Sequence, residues 1–127
     1  MPMSTYLKNA LVNVTLRNTA YTAPVTAYIA LYTTDPTVAD AGTEVTGGSY
    51  ARQSAAFDAP TAGATANTSN ITFPTATADW GTVTHVGVRD ALTAGNLLYF
   101  APLTTARTII TNDQLVILAG QLTDTLT

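Results

Sequence analysis

The sequence contains no cysteine, one lysine, one histidine and one glutamate, and only 10% of its residues are charged. Each shortage excludes a class of chemistry. Without cysteine there is no disulfide, no thiolate zinc ligand and no thiol nucleophile, so stability has to come from packing or from association with other chains. One lysine and four scattered arginines against eight acids give a formal net charge of −3 and an isoelectric point near 4.6. No basic stripe is present that could displace counterions from a nucleic acid, so neither DNA nor RNA is expected as a partner. No apolar run approaches the roughly 18 residues of a membrane-spanning helix, and no membrane partner is expected. The opening Met1-Pro2-Met3-Ser4-Thr5 lacks a charged region leading into an apolar stretch, so synthesis in the cytosol without a standard export signal is expected.

What is plentiful is threonine, 26 residues, and alanine, 21 residues, in a chain of 127. The 46% hydrophobic fraction is therefore inflated by small side chains, and the core is expected to be thin. Its bulk has to come from Tyr28, Tyr32, Phe57, Phe73, Trp80, Tyr99 and Phe100. The length fits one domain over residues 1–127, and no internal repeat or shift in composition marks a second.

The periodicity is helical only at the start. Ser4 can cap a helix in which Leu7, Leu11 and Val14 recur at i, i+4 and i+7, with Asn18 as its stop, giving a helix over about residues 4–18. No Glu or Gln stands at residue 7 to complete a capping box. Val12, Val14 and Thr15 are β-branched, so the helix needs packing against another surface to persist.

After Pro24 the period becomes two. Residues 25–33 alternate as a central strand, residues 37–48 read as a long surface loop, and extended segments follow at 50–57 and 69–73, separated by a Pro/Gly/Ala spacer at 59–66. Residues 81–89 alternate Thr82, Thr84, Val86 and Val88 against Val83, His85, Gly87 and Arg89. They are expected to form a hairpin with the apolar run 97–101. A further hairpin is expected from 107–111 and 114–119 about Asn112-Asp113, then a last strand around Leu122 and Leu126. About eight short strands at this spacing predict an all-β fold: a single antiparallel β-sandwich, jelly-roll or immunoglobulin-like, over about residues 25–127, preceded by one N-terminal α-helix.

The reactive side chains form no catalytic constellation. His85 is the only imidazole, Glu44 the only glutamate, and Ser4, Ser49, Ser54 and Ser69 stand in no nucleophile-elbow or zinc-ligand spacing, so no enzyme, catalytic residue, metal site or cofactor is expected. His85 is expected to bond a backbone carbonyl within the sheet. Asp35, Asp40 and Glu44 share one loop but miss the oxygen pattern of a calcium loop. Asn13, Asn67 and Asn70 match the glycosylation acceptor pattern, a coincidence in a Thr-rich chain without an export signal. Trp80 is read as a packing anchor rather than a sugar platform, since a sugar site normally shows several aromatics with amide or acid partners. Arg52, Arg89 and Arg107 lie in charge-poor strands and require acceptors, expected to be acids of a neighbouring subunit.

The runs Ala30-Leu31-Tyr32-Thr33-Thr34-Asp35-Pro36, Gly42-Thr43-Glu44-Val45-Thr46-Gly47-Gly48-Ser49-Tyr50-Ala51-Arg52-Gln53, Ile71-Thr72-Phe73-Pro74 and Trp80-Gly81-Thr82-Val83-Thr84-His85 together resemble a family of small structural proteins of tailed bacteriophages, commonly labelled tail or tail-fibre proteins. The resemblance extends from the N-terminal helix nearly to the C-terminus. It implies a virion component made in the cytoplasm of a bacterial host, and it brings no catalytic or cofactor residues. Nothing in the sequence is shaft-like. A compact, Thr-rich, weakly charged body suits a capsid decoration, or cement, protein that bridges major capsid subunits on the head surface; a small tail, tail-fibre or collar component, with or without host-surface binding, is the alternative. Decoration proteins as a class lead to the expectation of a homotrimer, with the phage major capsid protein or neighbouring tail proteins as further partners. The contacts are expected from Leu7, Leu11 and Val14 on the helix and from Glu44, Tyr50 and Arg52 in and beside the long loop.

Overall fold

The computed structural model describes residues 1–126; Thr127, the last residue of the expected sandwich, lies outside the described residues. Helix α1 (Thr5–Leu16) begins where the sequence places its cap: Ser4 is extended, and its hydroxyl accepts the Leu7 N–H at 3.2 Å. It ends as Asn18 enters the left-handed region at φ 51° and the Thr19 N–H returns to the Asn13 carbonyl. Leu7 is the helix residue fully buried, and α1 packs against β6. Burying a leucine contributes about 1.5–3 kcal/mol, which is what holds a helix with no acid in its first turn and no base in its last.

The strands are β1 (Ala27–Tyr32), β2 (Gln53–Ala55), β3 (Ala64–Ala66), β4 (Ile71–Thr72), β5 (Gly81–Arg89), β6 (Leu97–Ile109), β7 (Val116–Ile117) and β8 (Thr123–Thr125). A four-stranded antiparallel sheet runs β2-β1-β5-β6, and the second layer consists of two ribbons, β3-β8 and β4-β7. Ile29, Leu31, Val83, Val86 and Val88 of the sheet form one buried cluster with Ile71 of β4, Leu122 just before β8, Phe73 and Trp80. The alternate residues of β1, Ala30 and Tyr32, join Leu97 and Phe100 in a smaller cluster on the opposite face. The fold is thus mostly β and antiparallel with one helix, as expected, and β1 is central to its sheet.

Four local expectations are corrected. The expected segments 97–101 and 107–111 are not separate strands: β6 runs 13 residues, from the first into residues 107–109 of the second, and opposite Thr84 alone it carries Leu103 to Ala106, a large bulge. That bulge changes which residues share a face. Val83 joins Val86 and Val88 in the core, where strict alternation would put it with His85 and Gly87. The hairpin expected about Asn112-Asp113 does not form, because β7 pairs with β4 instead. Within the expected 59–66 spacer, Thr61 and Ala64 exchange both backbone hydrogen bonds around Ala62 (φ 53°) and Gly63 (φ 78°), a two-residue turn of the primed type that launches β3.

Candidate functional site

The long loop after β1 is fastened to the sheet at many points. The Val45 N–H bonds the Leu31 carbonyl, the Thr33 N–H bonds the Thr43 carbonyl, and Glu44 bridges to Tyr32, so residues 43–45 extend the pairing of β1 beyond β2. Tyr50 fills the gap between them. Its hydroxyl accepts the Leu31 N–H at 3.0 Å and donates to Glu44 Oε2 at 2.7 Å, while its ring stacks on Phe73 and meets Trp80 edge-on at 5.5 Å.

Two buried arginines then tie this loop to the β5–β6 turn. Arg52 makes a bidentate pair with Glu44, Nε to Oε2 at 2.8 Å and Nη2 to Oε1 at 2.7 Å, and donates from Nη1 to the carbonyls of Ala91 and Ala94. Arg89 pairs in the same bidentate way with Asp40 at 2.8 and 2.9 Å and donates to the Tyr32 hydroxyl and the Gly95 carbonyl. Burial pushes the Glu44 carboxyl up, but the hydrogen bonds from Arg52 and Tyr50 outweigh it and hold the group below its ordinary range. Burial and the Glu44 carboxylate raise the Tyr50 phenol. The bond to Glu44 raises Arg52; burial lowers Arg89, but the bonds to Asp40 and Tyr32 outweigh it and raise it.

This arrangement revises the partner assignment. The acids that satisfy Arg52 and Arg89 come from the same chain, and Glu44, Tyr50 and Arg52 spend their polar groups on each other; Arg107 is exposed. A cleft of about 470 Å³ between Glu44, Tyr50, Arg52 and residues 92–94 is therefore walled by groups already bonded internally. On the helix, Leu7 faces its own sheet, Leu11 lines a cavity with Val88, Leu98 and Tyr99, and Val14 remains 41% exposed. Exposed apolar side chains lie elsewhere on α1, at Tyr6, Val12 and above all Leu16.

The remaining candidates resolve similarly. Trp80 is buried, with its indole N–H bonding the Gly48 carbonyl at 2.9 Å, so it presents no platform for a sugar. His85 Nδ1 lies 2.8 Å from the Thr84 hydroxyl rather than against a carbonyl. Its Nε2 is 3.8 Å from the exposed Asp35, beyond hydrogen-bond reach, so Thr84, His85 and Asp35 do not form a relay. Among the described residues no group of three metal-ligating side chains comes together, and no helix is long and apolar enough to cross a membrane.

In the sequence Asn67 stands out only as part of a glycosylation pattern. It is almost fully buried, donates to the Ser69 and Leu118 carbonyls and accepts the Leu122 N–H. Only the mixed polarity around it, with no apolar periodicity, hints at that role.

No curated protein matches this chain. A family model described as Gp80, podophage GP4 fiber I protein gp80, matches residues 2–125. A match over nearly the whole chain is decisive for membership: this protein belongs to the Gp80 family, and so to the small structural proteins of tailed-phage virions.

Proposed function

We propose that the chain is a non-enzymatic building block of the fibre or tail apparatus, held in the particle by contacts with copies of itself and with neighbouring virion proteins. The family description carries this reading, because it names a fibre protein over residues 2–125. The surface supports it. Leu16 is 80% exposed and Val12 52%, and with Val25 beyond the helix they leave apolar side chains that nothing among the described residues covers. Charge is scarce on this segment, Lys8 and Arg17 being its only ionised side chains, so close packing of copies meets little repulsion.

Head decoration is the second reading. What favours it is the shape: two short layers with no coiled-coil or repeated shaft. In that case the same helix surface would meet major capsid subunits, with trimers multiplying modest contacts through effective concentration. Electron microscopy of intact virions labelled with antibody against this chain separates the two. Label confined to the tail supports the fibre reading, label over the whole head supports decoration, and unlabelled particles refute both.

A further inference from the structure

Residues 2–17 lie as an arm on the outer edge of the four-stranded sheet. The Ser4 N–H bonds the Leu98 carbonyl at 2.8 Å, the Phe100 N–H bonds the Pro2 carbonyl at 3.2 Å, and Met3 stands opposite Tyr99, so the arm adds a short strand to β6. The Thr5 N–H then bonds the Val38 carbonyl, and Leu7 is buried where α1 packs on β6. These contacts are edge pairing and one apolar side chain, which the arm of any copy can supply to the β6 edge of any other.

The connection from the arm to β1 is unlike the others in the fold. Among the described residues, every connection between strands is pinned by backbone hydrogen bonds, whereas residues 20–26 make none, from backbone or side chain. The last tie before them, the Thr19 N–H on the Asn13 carbonyl, lies within the arm itself. Val25 is fully exposed, and Tyr21 and Pro24 line a space of about 350 Å³ that the arm leaves open over Val88 and Tyr99. The turn into the connection is made by Asn18 at φ 51°, a left-handed conformation strained for a residue with a side chain. Folding the arm back on its own sheet thus bends the chain at a strained residue and gains no hydrogen bond along the connection. Extended, residues 18–26 span up to about 30 Å, more than the roughly 18 Å length of α1.

We propose that the arm is exchanged between copies: residues 2–17 of one chain lie on the β6 edge of the next. Exchange preserves each arm contact, relieves the bend at Asn18 and places Leu16 and Val25, the exposed apolar residues that flank the connection, beside a second chain. A strained hinge and the high local density of copies in a particle both favour it over the closed form. The proposal rests on the reading that copies of this chain associate, and it names the element that joins them.

Because the sequence has no cysteine, two introduced thiols report the exchange directly. Met3 and Tyr99 form a non-hydrogen-bonded antiparallel pair, with Cα atoms about 4.5 Å apart, a separation that a disulfide spans. The full chain carrying Met3→Cys and Tyr99→Cys is oxidised, its oligomeric state read by light scattering and its linkage by non-reducing gel and intact mass. Exchange predicts covalent dimers or larger species, and covalent dimers also from the two single variants unfolded together and refolded as a mixture. An oligomer whose disulfides lie within single chains overturns the exchange and leaves association of copies standing; a monomer with an internal disulfide overturns both. A second variant needs no thiol. Inserting about six Gly/Ser residues after Ala23 lets the arm return to its own sheet without the bend, and should raise the concentration at which the oligomer dissociates at least about tenfold while the chain stays folded by circular dichroism. A dissociation midpoint unmoved by the insertion overturns the proposal.

Discussion

Replacing Glu44 by Gln tests whether the long loop is held by the Arg52 clamp. The Arg52 side chain is 7% exposed and Glu44 23%, so the pair lies mostly out of water. Gln keeps the shape but supplies one acceptor where Glu44 supplies two to Arg52 and one to Tyr50. Removing one partner of a fully buried pair costs about 3–5 kcal/mol. Here the two carbonyl acceptors left to Arg52 and the partial exposure of Glu44 reduce the expected loss to about 2–3 kcal/mol. That corresponds to a melting temperature lower by roughly 6–15 °C for a chain of this size. The pH dependence has a definite sign. The folded-state pKa of Glu44 lies below its ordinary value, so its stabilisation is present above the unfolded pKa near 4.5 and lost as pH falls through the folded value. Urea unfolding of both proteins at pH 7 and at successively lower pH should show a gap that is widest near neutrality and narrows below about pH 4.5. A difference under about 0.5 kcal/mol at pH 7, or one that stays constant into acid, would show that the clamp does not hold the loop.

Three further outcomes follow from the packing. Gly48 has φ +57°, and a Cβ there would meet the Ala78 carbonyl and Trp80 Nε1 at 2.8 Å; Gly48→Ala should cost about 2–4 kcal/mol and shift the emission of the lone tryptophan to the red, whereas an unchanged spectrum and midpoint would count against the Trp80 anchor. Asn67→Ala strands the Leu122 N–H, while the Leu118 carbonyl keeps the Gln121 N–H, so a loss of about 1–3 kcal/mol is expected with faster hydrogen exchange at Leu122, and retained protection there would refute the role given to the amide. Asp40→Asn breaks the bidentate pair with Arg89 and should lower stability by about 1–3 kcal/mol in denaturant melts, a change of less than about 0.5 kcal/mol arguing that Tyr32 and the carbonyls suffice.

The parts of the fold legible in the sequence are those set by local chemistry. Ser4 as cap, Asn18 as stop, the central place of β1 and the bounds of β5 all follow from capping and from alternation over six or more residues. The rest depends on contacts distant in sequence. Nothing near Val116 and Ile117 says that they pair with Ile71 and Thr72 rather than with the strand just before them. The bulge that puts Val83 on the core face is invisible to strict alternation, and Ala62-Gly63 lacks the Asn or Asp that usually marks a primed turn. At the candidate site, Glu44, Tyr50 and Arg52 stand out in the sequence as polar residues of a charge-poor chain, but not as one another's partners. Their internal bonds are not legible there, because Tyr32, Glu44 and the turn at 91–95 are brought together only by the sheet.

The most direct test of the account is the amount of this chain in purified particles, measured by quantitative mass spectrometry for wild-type phage and for phage carrying Val12→Asp and Leu16→Asp together. Both side chains are exposed, so the altered protein should fold with stability within about 0.5 kcal/mol of the original. The account predicts several copies per wild-type particle and few or none per altered particle. Equal amounts in the two, or no chain in wild-type particles, would contradict it.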